Sequence, residues 1–375
     1  MSLVNGGFFA SGHSSGDLQV VVVVRRFEPK GGMESYVWSL VQALVDVGVS
    51  VTVVSEAFSS RLRDRSNLKL VSVPRSYRGP GWFRLRRFSV LVGRVLSEAP
   101  AGAVVHSHER TSVHHVTTFH GPPFALIHTY PFWRRWSLRV WAYLWMERRE
   151  VCAPNVLAVV PNSSKISATL VQHYPCMGGR LRRPIPPGVE DVPTRAFRAV
   201  SQDSGVIGFV GKEWRRKGLE TALAICASLA IQRPKLVLRL YGPDVTEIKH
   251  LVVNVGFAVE CMGWRDAKPE LHEFDLLLHP ARSEPYGMVI SEAMAAQVPV
   301  VVSDACGAAA DVSASNGVVL PVDSALENWV KSCESMLALT VAVPAFRRGW
   351  DDVAREHIAL YQEVAKQLAA MKPRQ

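Results

Sequence analysis

The chain has 375 residues, 48% of them hydrophobic and 20% charged, which is ordinary for a globular protein and sufficient for two domains with their own cores. No apolar run approaches the ~20 residues needed to cross a bilayer, so the sequence excludes an ordinary transmembrane helix. The net charge of +10 is concentrated in residues 75–149, which hold twelve Arg, no Lys and three acids, an excess of +9. Such a local excess predicts a surface that faces an anionic partner.

The first seventeen residues are polar and rich in Gly and Ser, without the charged start and apolar stretch of a secretory signal. We expect them to form a disordered or non-native extension. The six cysteines are scattered and include no C-x-x-C pair. This pattern predicts small core thiols in a reducing cytosol and argues against a zinc site.

A strand–glycine loop–helix–strand unit opens the folded part of the chain. The β-branched run 18–24 predicts a strand buried on both faces, and Gly31-Gly32 precede a helical stretch at 33–47 and a strand at 49–54. Further strands are expected at 103–106 and 156–160. This order is typical of an α/β domain with a parallel sheet, and the proline-dense run 183–189 is the candidate linker to a second domain.

Histidines follow two of these predicted strands. His120 lies in V-T-T-F-H-G-P-P, between a strand and a Gly-Pro break, where α/β proteins place ligands. Its imidazole is suited to bonding a sugar hydroxyl or stabilising charge. His106 and His108 form an H-x-H pair that is more weakly indicated, and we do not expect it to hold a metal.

Residues 130–149 combine four tryptophans with arginines. Trp133, Trp136, Val140 and Leu144 are predicted to share one helical face beside Arg135 and Arg139. The mixture fits the headgroup region of an anionic membrane, a grip on a phosphorylated acceptor, or a large core helix capped by arginines. Arg84, Arg86 and Arg87, which follow Gly-Trp-Phe, form a second patch of this kind.

A second α/β half begins with a strand at 206–211 and a glycine-bounded turn, G-K-E-W-R-R-K-G, at 211–218. Arg216 and Lys217 lie there beside a predicted helix N-terminus, a position suited to a diphosphate. The elements that follow alternate regularly: a helix at 219–232, a strand at 235–241, a helix at 247–254, strands at 258–262, 276–279 and 298–303, and a last helix at 351–371.

The run from Glu284 to Glu292 joins an anion site to two carboxylates. A helix starts near Gly287, so the amides of Gly287, Met288 and Val289 are expected to point outward at the positive end of its dipole. Carboxylates accept hydrogen bonds from hydroxyls. A ligand that is both phosphorylated and polyhydroxylated, such as a sugar nucleotide, fits this arrangement.

The segment E-P-Y-G-M-V-I-S-E-A-M-A, with seven residues between its glutamates, resembles the signature of the GT-B retaining glycosyltransferases of family 4. The Arg-Lys-Gly of the 211–218 turn is similar to that of lipopolysaccharide core heptose glucosyltransferases. Asn162-Ser-Ser and P-P-G-V at 186–189 support the resemblance, although Glu190 stands where relatives often have Asp. The resemblance covers nearly everything after residue 17.

The resemblance implies a GT-B fold: two Rossmann-like domains facing a cleft, with the last helix packing back on the first. Residues 18–185 with 351–371 would form the acceptor-side domain, and residues 186–350 the nucleotide-sugar domain. It assigns Glu284 and His120 to the donor sugar as catalytic residues, and Glu292 to the ribose. By the same resemblance, Arg216, Lys217 and the amides of residues 287–289 would bind the diphosphate. Gly31 and Gly32 would reach the donor phosphate or the acceptor from the first domain.

The reaction implied is a metal-independent transfer, with retention, from a nucleotide-diphosphate sugar to a glycoconjugate. No cofactor is expected. UDP-sugars are favoured as donors, with GDP-mannose and ADP-heptose open. The acceptor implied is the bacterial lipopolysaccharide core, placing the enzyme on the cytoplasmic face of the inner membrane, an anionic surface.

Other functions fit less well. A catalytically silent GT-B binding protein and a family 4 enzyme with another polysaccharide or glycolipid acceptor remain alternatives. A nucleic-acid-binding protein is disfavoured because no such module is recognisable. A dinucleotide-dependent oxidoreductase lacks the G-x-G-x-x-G fingerprint and its ribose-binding acid.

Overall fold

The computed structural model describes residues 18–100 and 102–371; the extension predicted at 1–17 lies outside this part of the chain. The chain divides into two compact units. Unit 1 comprises the residues up to Gly188 together with those from Trp350 onward, and unit 2 comprises Val189–Gly349.

Unit 1 is built on a six-stranded parallel sheet with the order β5-β3-β1-β6-β7-β8. Its strands are β1 (Gln19–Val23), β3 (Ser50–Ser55), β5 (Leu68–Ser72), β6 (Val104–Ser107), β7 (Val116–Phe119) and β8 (Ala158–Pro161), and β2 (Arg26–Phe27) pairs separately with β4 (Ala57–Phe58). Its helices are α1 (Gly32–Asp46), α2 (Gly81–Leu96), α3 (Leu138–Cys152), α4 (Ser164–His173) and α9 (Trp350–Met371).

Unit 2 repeats this topology with a second parallel sheet, in the order β11-β10-β9-β12-β13-β14. Its strands are β9 (Ser204–Val210), β10 (Lys235–Tyr241), β11 (Ala258–Gly263), β12 (Leu276–His279), β13 (Val300–Ser303) and β14 (Gly317–Leu320). Its helices are α5 (Leu219–Ala230), α6 (Val245–Val252), α7 (Met288–Ala295) and α8 (Leu326–Leu337).

The central strands are apolar on both faces because helices cover both sides of each sheet. Residues Val20 to Val23 of β1 and Leu276 to Leu278 of β12 are all buried. In each sheet the chain order reverses next to the first strand, between β1 and β6 in unit 1 and between β9 and β12 in unit 2. At such a switch point the loops leaving neighbouring strands diverge, and doubly wound folds bind ligands there.

The last helix, α9, packs on unit 1 against α1 and β6. Trp350 and Tyr361 from this helix enter the interior of the unit, where Trp350 meets the ring of Tyr36 edge-on at 5.2 Å. This is the return of the last helix that the family resemblance implied. None of the helices described is long and apolar enough to cross a membrane.

Two sequence-based expectations are wrong. Trp133 and Trp136 do not share a helical face with Val140 and Leu144, because a 3-10 turn covers Phe132–Arg134 and α3 begins only at Leu138. Ser137 caps α3 by accepting from the Val140 N–H at 3.2 Å, and this cap fixes where the helix starts.

The second wrong expectation concerns the cysteines. Cys152, the last residue of α3, forms a disulfide with Cys176, 24 residues further along the chain. The spacing of the cysteines did not indicate this pairing. The two residues meet only when α3 packs against the 3-10 turn that contains Cys176. The other four cysteines are free thiols.

Candidate functional site

The main site residues of unit 2 lie on the two loops that leave the switch point. One loop follows β9 and carries the turn from Gly211 to Gly218, and the other follows β12 and carries Glu284 and Gly287. The two loops are joined directly, because the Arg282 N–H donates to the Arg216 carbonyl at 2.9 Å. Residues 66 or more positions apart in sequence therefore form one cluster.

Three glycines allow the first loop to fold this tightly. A Cβ on Gly218 would lie 2.1 Å from the Pro280 carbonyl oxygen, and Gly218 has a φ of +79°. A Cβ on Gly211 would lie 2.0 Å from Cδ of Lys217, and one on Gly242 would lie 2.7 Å from the backbone of Gly211. The loop thus holds Lys217 against its own backbone at the start of α5.

The start of α7 has the backbone geometry of a free helix N-terminus. Gly287 precedes the helix with a φ of +94°, and a Cβ there would lie 3.1 Å from Cγ of Glu284. The first hydrogen bond of the turn runs from the Ile290 N–H to the Gly287 carbonyl, at 2.9 Å. The amides of Gly287, Met288 and Val289 precede this bond and have no partner within the helix.

Glu284 lies at the centre of a charged cluster. Its carboxylate is 3.1 Å from Nζ of Lys217, 3.2 Å from Nη1 of Arg216 and 3.7 Å from Nε2 of the fully buried His279. Burial alone would raise the pKa of Glu284, but the neighbouring His279, Lys217 and Arg216 outweigh it and hold the pKa well below its usual range. Burial lowers the pKa of His279, which keeps its ring neutral.

Backbone contacts fix the loop that carries Glu284. The Glu284 N–H donates to the Ala305 carbonyl at 3.0 Å, and the Glu284 carbonyl accepts from the Gly307 N–H at 3.1 Å. The buried hydroxyl of Tyr286 lies 2.9 Å from both Ser291 Oγ and Asp311 Oδ2. These bonds position the acid and the start of α7 together, which a preorganised site requires.

Glu292 belongs to a second group of charges in unit 2. Nζ of Lys268 lies between two acids, 3.6 Å from Glu292 and 2.9 Å from Glu190. Burial raises the pKa of Glu292, with Lys268 acting in the opposite direction. Burial would lower the pKa of Lys268, but its two carboxylate neighbours raise it overall.

In unit 1, Gly31 and Gly32 lie exposed at the start of α1. Gly31 has a φ of +96°, and a Cβ there would lie 2.8 Å from Oε2 of Glu34, whereas Gly32 has open space around it. Glu34 is held by Nη2 of Arg26 at 2.7 Å. The glycines therefore leave the backbone at this helix N-terminus accessible to a ligand.

His120, itself half-buried, contacts a cluster of buried histidines in unit 1. Its Nε2 lies 2.8 Å from Nδ1 of His108, whose other ring nitrogen is buried without a hydrogen-bond partner among the described residues. His106 bonds the Tyr361 hydroxyl at 2.7 Å and Thr118 Oγ1 at 2.8 Å. Burial, with the neighbouring histidines, lowers the pKa of His120 to about 3 and that of His106 and His108 well below 6.5, so the cluster is neutral at neutral pH.

Sequence reasoning missed three residues of these groups. His279 is polar at the end of a fully buried strand, directly before the Glu284 loop, and that position was a usable signal. Lys268 carried none. Glu190 was noted only for its place after P-P-G-V, and no spacing links residues 190, 268 and 292 before the unit folds. No group of three or more metal-ligating side chains with suitable geometry occurs in residues 18–100 and 102–371.

Two family profiles match the two halves of the chain. The family described as "Glycosyltransferase Family 4" matches residues 30–191, and the family described as "Glycosyl transferases group 1" matches residues 204–338. The second match contains the Arg216–Lys217 turn and the whole Glu284–Glu292 segment.

Two known proteins illustrate the similarity in sequence. D-inositol 3-phosphate glycosyltransferase of Corynebacterium urealyticum is 23% identical over 312 residues, covering 66% of this chain and 73% of that protein. The lipopolysaccharide glucosyltransferase WaaG of Escherichia coli K12 is 26% identical over 216 residues, covering 52% of this chain and 56% of WaaG.

Solved structures extend the likeness of fold to nearly the whole chain. A crystal structure of WaaG superposes with a TM-score of 0.69 at 20% identity, covering 95% of this chain and 100% of WaaG. Anabaena HepE in complex with UDP-glucose superposes with a TM-score of 0.64 at 17% identity, covering 94% and 100%. The two doubly wound units, the paired family profiles and these relatives agree: the chain is a glycosyltransferase with the GT-B fold, and it is similar to family 4 enzymes such as the lipopolysaccharide core glucosyltransferases.

Proposed function

We propose that the protein transfers a sugar, with retention and without a metal, from a nucleotide diphosphate to a phosphorylated or acidic glycoconjugate. The observation that carries the proposal is the cluster at the switch point of unit 2. It places two cations, a helix N-terminus and a deprotonated glutamate on two loops that are bonded to each other.

The donor diphosphate would take over the cations that now hold Glu284. Arg216 and Lys217, with the amides of Gly287 to Val289, would neutralise its charge as it becomes the leaving group. Glu284, released from part of its ion pairing, would accept a hydrogen bond from a hydroxyl of the donor sugar. Glu292 would accept a hydrogen bond from a ribose hydroxyl. UDP is favoured as the nucleotide because HepE, of the same fold, is described with UDP-glucose.

Retention would follow from attack on the same face as the leaving phosphate, with that phosphate as the base, as the family resemblance implies. Neutral His120 would then donate or accept a hydrogen bond at the sugar and would not act as a cation, because burial lowers its pKa to about 3. Gly31 and Gly32 would bring the backbone close to the donor phosphate or the acceptor.

The charge on the surface of unit 1 favours an anionic acceptor. Glu147 is fully buried and accepts from Arg110, from the amides of Phe124 and Ala125, and from the Tyr174 hydroxyl, so it does not offset the outward-facing arginines. Glu109 is half-buried, and desolvation raises its pKa to about 7. Two relatives named above act, by their names, on an inositol phosphate and in lipopolysaccharide assembly. We propose the lipopolysaccharide core of a bacterium as the acceptor class.

The exposed tryptophans of unit 1 would place the enzyme on the anionic cytoplasmic face of the inner membrane. Trp133, Trp136 and Trp141 are 67%, 84% and 65% exposed, which replaces the core-helix interpretation of this segment. Large aromatic rings beside arginines fit the interfacial layer of a bilayer. In sedimentation with anionic vesicles, the variant Trp133→Ala/Trp136→Ala should lose salt-sensitive binding. The control Trp264→Ala should retain it, since Trp264 of unit 2 is as exposed as Trp133.

A transfer assay tests the proposal as a whole. Purified protein is incubated with UDP-glucose, UDP-galactose, GDP-mannose or ADP-heptose, with lipopolysaccharide core oligosaccharides as acceptors, in the presence of a chelator. We expect one donor to be consumed and NMR of the product to show the anomeric configuration of the donor. An inverted product, or turnover that requires a metal, would refute the mechanism; a folded protein inactive with every pair would refute the assigned function.

A further inference from the structure

A groove of about 150 Å³ lies between α2 and α3 on unit 1, outside the residues assigned to the donor. Buried Thr111 and Met146 lie at its floor. Arg86 and Ser89 on α2 line one side, and Trp145 and Arg149 on α3 line the other. The groove therefore combines buried residues with two arginines on different helices.

The two arginines converge on one aromatic ring. The guanidinium carbon of Arg149 lies 4.6 Å from the centroid of Trp145, and that of Arg86 lies 6.0 Å from the same centroid. No ion pair with a carboxylate is formed by either arginine within residues 18–100 and 102–371. Two like charges held beside one ring repel each other unless an anion lies between them.

The third arginine of the groove, Arg110, is already balanced. Its Nη2 lies 2.7 Å from the buried carboxylate of Glu147. Glu150 lies 3.8 Å from Arg110, but burial raises the pKa of Glu150 to about 8, so at neutral pH it is mostly uncharged. The groove consequently keeps the positive charge of Arg86 and Arg149.

We propose that this groove binds a phosphate group carried by a sugar of the acceptor glycoconjugate. The proposal rests on the proposed function and adds to it the place where the acceptor is held. Arg86 and Arg149 would share the phosphate oxygens through their planar forks, and Ser89 and Ser112, which also line the groove, offer hydroxyl donors. We commit to a sugar phosphate and not a lipid headgroup because the arginines flank a recess, whereas the most exposed tryptophans lie elsewhere on the segment.

Calorimetric titration of the full chain with inorganic phosphate and with glucose 6-phosphate tests the proposal. Both are run in a Lys217→Ala background, so that phosphate binding at the donor site does not contribute. We expect binding of both probes to weaken at least tenfold in Arg86→Gln/Arg149→Gln. Arg94→Gln, which removes an exposed arginine without a carboxylate partner from the last turn of α2, should leave binding unchanged.

Two further arms separate the other sources and the proposed function. If the double variant loses binding to anionic vesicles but still binds both phosphate probes, the groove faces lipid and the proposal is overturned. The absence of any phosphate binding would also overturn it. UDP binding, measured with Lys217 restored, should be equal in the double variant and the wild type. If neither the wild type nor the double variant binds UDP, the proposed function is refuted. The phosphate titration then still tests whether the groove binds phosphate.

Discussion

Lys217 shows how the candidate site depends on residues that do no chemistry. Its side chain packs over Gly211, and its neighbour Gly218 presses against the Pro280 carbonyl at the end of β12. The cation is therefore placed by two glycines, one on each side of it, and by a proline from the neighbouring loop. Any side chain at position 218 must push these two loops apart.

Gly218→Ala should accordingly weaken UDP binding at least tenfold and lower the free energy of unfolding by roughly 3 kcal/mol. About 1 kcal/mol comes from left-handed backbone and the rest from the clash. Gly256→Ala is the matched control, because Gly256 has a φ of +81° but nothing within 4 Å of the added Cβ. It should lose only the backbone share, about 1 kcal/mol, and should bind UDP normally. Calorimetry measures UDP binding and urea unfolding measures stability. Equal effects of Gly218→Ala and Gly256→Ala in both would contradict this account.

At this scale the sequence predicted the residues better than their contacts. Arg216, Lys217 and Glu284 were readable because each lies in a short motif next to a strand or helix end. The ion pairs among these residues could not be predicted. They depend on the close approach of the loops after β9 and β12, which bring together residues 66 or more positions apart. The roles assigned to these residues remain predictions.

Helix α9 illustrates how a distant element completes unit 1. Tyr361 reaches His106 on β6, and both side chains are fully buried. The hydrogen bond lies within the contact among α9, α1 and β6, where His357 of α9 also stacks on His106 at 5.6 Å. Since His106 is held neutral, both of its ring nitrogens need partners.

Tyr361→Phe should lower the free energy of unfolding by about 1–3 kcal/mol, because it leaves a buried nitrogen of His106 without its partner. Tyr77→Phe is the control: this hydroxyl belongs to a ring that is 75% exposed, and its loss should change stability by less than about 0.5 kcal/mol. Urea unfolding followed by circular dichroism measures both. A Tyr361→Phe protein as stable as the wild type would show that α9 is held without this bond.

Elements with strong patterns were found from sequence, and those with mixed patterns were not. β10 and β12 have the predicted bounds, since each is a leucine-rich segment between turn residues. α2 was not predicted although Leu85, Phe88, Val92 and Val95 form its buried stripe, because arginines lie between these apolar residues. The Trp-rich helix was placed too early, because aromatic spacing does not reveal the Ser137 cap.

Over the whole molecule, two sets of buried groups give opposite pH dependences. Burial lowers the pKa of His114 to about 4 and of His120 to about 3, and it holds that of His106 and His108 well below 6.5. The unfolded chain takes up these protons near pH 6.5, so stability is lost as the pH falls below that value. Burial raises the pKa of Glu109 to about 7 and of Glu150 to about 8, so their contribution is lost as the pH rises from 4.5 to 8.

The free energy of unfolding should therefore peak near pH 6.5 and fall towards both pH 5 and pH 8. Glu150→Gln should flatten the alkaline limb by about 1 kcal/mol or more, because the amide oxygen retains the bond from Thr117 and nothing has to ionise. Glu98→Gln, at an exposed position, should leave the profile unchanged. Urea midpoints at pH 5, 6.5 and 8 measure this; a stability that rises steadily from pH 6.5 to 8 would contradict it.

The central claim is that the charged cluster of unit 2 binds the diphosphate of a nucleotide sugar, and calorimetry with UDP, GDP and ADP tests it most directly. With a chelator present, we expect one nucleotide to bind. Lys217→Ala and Glu292→Ala should each weaken it at least tenfold, while Lys331→Ala, on α8 outside the cluster, should not. A folded protein that binds none of the three, or binds equally well without Lys217 and Glu292, would contradict the account.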